Sequence, residues 1–162
     1  MIATLDRVHR AVLRLPALAA FAVATRLLLA IGFIPPGLRK TLGHRFTLIP
    51  PEGSAVGQFF EGFFQSSEYY GFVGLMQVAA GVMLLVPGTV LLGALLYLPI
   101  VVNIFVITVA MQFRGTWLIV GAMLLANLYL LAWDYDRLRS VLFREPPPLA
   151  PDHRPQRRGL RA

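Results

Sequence analysis

Between Gly71 and Phe113 no residue carries a charge, and after Arg114 the chain is charge-free again from Gly115 to Trp133. A run that long cannot be one element of a soluble core, because helices of soluble proteins keep a polar face. Three membrane spans divided by two short turns account for it, since one span takes about 20 apolar residues. Pro87-Gly88-Thr89 and Arg114-Gly115-Thr116 supply the turns, with residues suited to tight reversal. A further apolar segment, Ala17 to Ile34, precedes this block. The sequence therefore predicts an all-α integral membrane four-helix bundle, with spans at about 17–34, 70–87, 90–113 and 117–133.

Composition agrees. Of 162 residues, 57% are hydrophobic and only 14% charged. One membrane domain is expected over 17–143, after a short lead-in at 1–16 and before a tail at 144–162. The net charge of +7 does not imply nucleic acid, because its distribution is that of a membrane protein. Arg7, Arg10 and Arg14 precede the first span, and Arg137, Arg139, Arg144, Arg154, Arg157, Arg158 and Arg161 follow the last. Basic flanks beside apolar spans lie on the cytoplasmic side. Four spans also return the chain to its starting side. Count and charge together predict a multi-pass protein of a bacterial cytoplasmic (inner) membrane with both termini cytoplasmic. No removable signal peptide is expected at the N-terminus. The tail alternates prolines with arginines, the composition of a disordered segment, and its arginines suit anionic lipid at about 1 kcal/mol each.

The segment between the first two spans is the least regular. Pro35-Pro36-Gly37 is expected to break or bend the first helix. Residues 38–69 then lie outside the membrane or in its interface. Phe59, Phe60, Phe63 and Phe64 give one helical face a strongly aromatic character, as in an interfacial or re-entrant half-helix. The alternative is a plain aromatic anchor. Tyr69 and Tyr70 mark the start of the second span, and Trp133 and Tyr135 the end of the fourth, at headgroup level. Gly71, Gly74 and Gly81 fall on one face of the second span and allow another helix to approach closely.

Several chemistries are excluded or unsupported. There is no cysteine, hence no thiolate nucleophile, iron–sulfur cluster or zinc-thiolate site. His9, His44 and His153 all lie outside the spans, so a haem held by two histidines within the bundle is not available. No cofactor held by His or Cys is expected. What remains is one polar residue per span: Arg26, Gln77, Asn103 and Asn127. A lone arginine inside a span costs roughly 2.5–3.5 kcal/mol on insertion scales. If all four face the bundle interior, they form a pocket for a quinone ring or a lipid head. Two other readings stand beside it: interhelical hydrogen bonds only, and, for Arg26, an interface anchor in a span that starts later.

Two stretches, Arg26-Leu27-Leu28-Leu29-Ala30 leading to Gly37-Leu38-Arg39-Lys40 and Gly74 to Leu85 running on to Gly93-Ala94-Leu95-Leu96, together with Trp133-Asp134-Tyr135-Asp136-Arg137-Leu138, resemble the DoxX-like family of small bacterial membrane proteins. The resemblance covers roughly Arg26 to Leu142. It implies a four-helix membrane bundle, and an association with quinone-linked oxidation or membrane oxidoreductase assemblies. It transfers no catalytic residue.

The first functional expectation is a non-catalytic accessory subunit of a larger respiratory or electron-transfer complex, with membrane lipids and other membrane subunits as partners. The alternatives are a quinone-interacting oxidoreductase component and a small transporter or lipid-handling protein.

Overall fold

A computed structural model describes residues 16–113 and 115–142. The lead-in and the tail expected at the two ends lie outside the described residues. Six helices follow one another: α1 (Pro16–Thr41), α2 (Ala55–Gln65), α3 (Glu68–Leu85), α4 (Val90–Ala110), α5 (Thr116–Trp133) and α6 (Tyr135–Leu142). No strand occurs among the described residues. Helices α1, α3, α4 and α5 are each long and apolar enough to cross a membrane. Their outward residues include Leu28, Ile31, Phe72, Leu92, Ile119 and Leu125, each at least half exposed. A surface of that kind fits lipid rather than water.

The four long helices pack in a ring, α1 on α3, α3 on α4, α4 on α5, and α5 back on α1 along the loosest seam. The core is filled by Leu29, Phe33, Leu84, Tyr97, Val101 and Leu130. Phe33 and Tyr97 stack with ring centroids 3.6 Å apart.

Helix α1 corrects the expected break. It runs unbroken through Pro35 and Pro36 to Thr41, a full turn beyond the proline pair. Two prolines remove two amide donors, and Pro35 also disfavours helix at Ile34. Packing overrides both penalties. Residues 30–41 of α1 lie along α3 with almost no space between the backbones. A Cβ on Gly74 would come within 2.6 Å of the Gly37 carbonyl oxygen, and a Cβ on Gly37 within 2.8 Å of the Gly74 oxygen. Gly81 faces Ile34 in the same way, at 2.6 Å. The expected glycine face therefore exists, and α1 occupies it. Gly71 is not part of it, having nothing within 4 Å of its Cβ position.

The α3–α4 turn is closed by Thr89, whose hydroxyl donates to the Met83 carbonyl at 2.9 Å. Gly93 then lets α4 touch α3 at Leu84 and Met83. At the opposite end of the ring, residues 42–67 fold over the bundle as a cap that contains α2. Ser54 caps α2, accepting from the Gly57 amide at 3.2 Å. Beyond Trp133 the chain turns at Asp134 before the short α6, rather than continuing as one helix.

The α1–α3 contact yields a stability prediction. Gly74→Val should destabilise the detergent-solubilised protein by roughly 1–3 kcal/mol, the usual cost of overpacking. Gly71→Val, with open space around it, should stay within about 0.5 kcal/mol of the parent. Equal thermal shifts for the two variants would show that the close approach carries no stability.

Candidate functional site

The most unusual group in the structure is Lys40, in the last turn of α1. Only 5% of it is exposed. Its ammonium donates to Gln77 Oε1 on α3 at 2.9 Å and sits 4.1 Å from the centre of the Phe46 ring. The position follows from the helix contact, because Lys40 Cβ lies against Gly74. Along α3 this level is about 9 Å in from Glu68. A cation near a helix C-terminus is favoured by the helix dipole, and a ring face adds cation–π attraction. Among the described residues no carboxylate pairs with Lys40. The ion pair found there, Arg45 with Glu61 at 2.8 Å, lies on the surface of the cap.

Phe46 is positioned by Tyr70. The Phe46 amide donates to the Tyr70 hydroxyl at 3.0 Å, and that hydroxyl donates to the His44 carbonyl at 2.8 Å. Tyr70 is only 2% exposed. It is thus a bolt between α3 and the cap, where a headgroup anchor was expected. Tyr69 remains exposed. The phenylalanines of α2 complete the cap. Phe60 meets Phe46 and Phe113, and both Phe63 and Phe64 stand edge-on to Tyr70. Phe59 is the most exposed of the four. Arg45 lies over the Phe64 ring at 4.8 Å. A gap of about 10 Å³ within the cap, among Arg45, Phe46, Phe60, Phe64 and Tyr70, has room for about one water.

The four intramembrane polar residues do not meet. Gln77 is buried on Lys40 rather than beside Arg26. Asn127 is fully buried, and its Nδ2 donates to the Ala94 carbonyl at 3.1 Å, joining α5 to α4. Its Oδ1 is buried without a partner among the described residues. Arg26 is half-buried on α1, ten residues past the helix start, and its Nε is likewise buried without a partner there. Asn103 points away from the bundle. On α4 the inward face is Val90, Ala94, Tyr97, Val101 and Thr108, and two residues past Val101 is about 200° around the helix. At the far end, Trp133 lies against Tyr129, with centroids 5.9 Å apart, and Tyr135 is exposed.

Lys40 was the functional candidate that the intramembrane residue count omitted. Treating Pro35-Pro36-Gly37 as a helix end placed it outside. The legible signal was its spacing, three residues after Gly37 on the same stripe as Phe33 and Leu29.

Over 127 residues, 75% of this chain and 81% of the relative, the sequence is 34% identical to the uncharacterized protein YwoB of Bacillus subtilis (strain 168). The chain belongs to the YwoB family. No family model matches it, and no solved structure does. For this YwoB-family chain, then, the geometry of the site itself carries the functional argument. No group of three or more His, Asp or Glu residues able to hold a metal occurs among the described residues.

Tyr70→Phe tests the bolt. It strips the Phe46 amide and the His44 carbonyl of their shared partner, at a cost of about 1–3 kcal/mol to local closure. Hydrogen exchange at the Phe46 amide should accelerate while exchange in α4 and α5 stays as it was. An unchanged Phe46 rate would remove the phenol from this role.

Proposed function

We propose that the protein is a non-catalytic accessory subunit that docks, through the outward face of α4, onto a transmembrane helix of a larger membrane assembly. The respiratory or electron-transfer setting and the wider DoxX-like kinship belong to this proposal, as does the cytoplasmic placement of both termini. One observation carries the docking. Asn103 is exposed on the apolar side of a membrane-length helix and makes no hydrogen bond among the described residues. An amide left unbonded in hydrocarbon is costly. Leu92, Pro99, Val106 and Ala110 share its stripe and are exposed with it, at the spacing by which one helix meets another. A partner helix bearing a hydrogen-bonding side chain would satisfy the amide.

The glycines support the same choice of face by elimination. Gly74, Gly81 and Gly93 are covered by helices of this chain, so the small-residue faces cannot receive an outside partner. The quinone-handling alternative gains no support from a shared pocket, because Arg26, Gln77, Asn103 and Asn127 do not converge.

The test is co-purification from native membranes in mild detergent. The parent chain should elute with a larger assembly. Asn103→Leu should weaken that association about threefold, equivalent to the ~0.6 kcal/mol that an interhelical bond averages. A parent chain that always runs alone and monodisperse would sink the accessory-subunit reading. Unaltered association of the variant would move the contact off α4.

A further inference from the structure

We infer that Lys40 and Gln77 form the floor of an anion site beneath the cap, made for the phosphate or carboxylate head of an amphiphile, with Phe46 as its lid. This inference is independent of the docking face on α4.

The donor count is the starting point. An ammonium has three N–H groups. Gln77 Oε1 accepts one, and the Phe46 ring covers the side where another points. The Gln77 amide nitrogen carries two more donors. A cation and an amide NH₂, side by side on α1 and α3, thus have more donors than acceptors. A burial this complete ordinarily comes with a carboxylate, and none is there. An incoming oxyanion supplies both the missing charge and the missing acceptors, through the charge-assisted bonds that are the strongest of their kind.

Position selects the class of ligand. Lys40 lies near the end of a helix of 26 residues, about 39 Å long against a hydrocarbon core of about 30 Å. Its backbone therefore lies toward the interface where an amphiphile's head sits, and its ammonium reaches inward to Gln77. The surrounding surface is apolar along α1 and α3, with Leu38 and Phe72 exposed, while Arg39 stands exposed beside Lys40 at the rim. The bonds that hold the 44–46 segment to Tyr70 use the backbone of His44 and Phe46, so turning the ring off Lys40 would break neither and would give up only its contacts with Lys40 and Phe60.

The full-length protein in neutral detergent, read by native mass spectrometry with phosphatidylglycerol as the probe, decides the matter. The parent should retain the lipid through detergent exchange. Gln77→Glu is the key variant: it places a carboxylate on Lys40 from within, keeps the fold, and should reduce retention about tenfold or more. Lys40→Met should do the same, and Phe46→Ala should retain at least as much lipid as the parent. Both variants at the floor keep the basic tail, so lipid held by the tail does not enter the comparison. In a parallel arm, inorganic phosphate that displaces the lipid identifies the head as sufficient, whereas phosphate without effect assigns the site to the whole amphiphile. Retention by Gln77→Glu equal to the parent's, or no retention by the parent, overturns the inference, and a loss in Phe46→Ala overturns the lid.

Discussion

The close approach of Gly37 and Gly74 is the constraint from which the rest of the structure follows. Two helices whose backbones touch have fixed separation and register. Here that register keeps α1 helical past two prolines, brings Lys40 onto Gln77, and sets Ile34 against Gly81. The usual hydrophobic drive is weak between helices in lipid, because the tails are as apolar as the side chains. Dispersion across a tight contact must then hold the pair together, and only a residue without a Cβ allows it. The glycines therefore do not mark flexibility. They mark the one seam that cannot be repacked around a larger side chain.

Two cationic contacts in this structure differ sharply in what they can contribute. Arg45 and Glu61 form a geometrically good pair, yet the arginine side chain is 53% exposed, and such surface pairs are worth only about 0–1 kcal/mol. Lys40 has no carboxylate among the described residues but is nearly out of reach of solvent. Its desolvation is offset by a neutral amide oxygen, a ring face and a helix C-terminus. Those partners tolerate a charge without neutralising it. The surface pair fastens the cap, whereas the buried group leaves a net positive charge in an apolar setting.

Much of the fold was legible because lipid imposes a simple demand: backbone groups must bond within their own helix. Four long apolar helices, the Pro87-Gly88-Thr89 turn and the closeness allowed by Gly74 and Gly81 all follow from residue type and spacing. The course of α1 did not. Local rules for Pro35-Pro36-Gly37 point to an end, and the packing of 30–41 on α3, a relation between distant residues, reverses them. The site was missed for the same reason. Counting one polar residue per span overlooked Lys40, and periodicity could not orient Asn103, because α4 is apolar on every side and shows no stripe to rank its faces. Tyr70 carried the opposite ambiguity, since a tyrosine at a span boundary reads equally as a headgroup anchor and as a buried bolt.

Once the course of α1 is known, the polar chemistry redistributes. Arg26 and Lys40 are fourteen residues apart, close to four full turns, and so lie on nearly one face of the same helix. Between them the face is Leu29, Phe33 and Gly37, all packed into the bundle. Helix α1 thus carries all three cations of the described membrane-length helices, Arg26, Arg39 and Lys40, while α3 has one carboxylate, Glu68, in its first turn and α4 and α5 carry no charge. Gln77 and Asn127 are used to bind helix to helix. Asn103 alone among the amides is turned outward. A bundle arranged this way has one positively charged helix held by three that carry no cation. Its two polar outlets, beneath the cap and on the back of α4, are on different helices, so the anion site and the docking face proposed above would not obstruct one another.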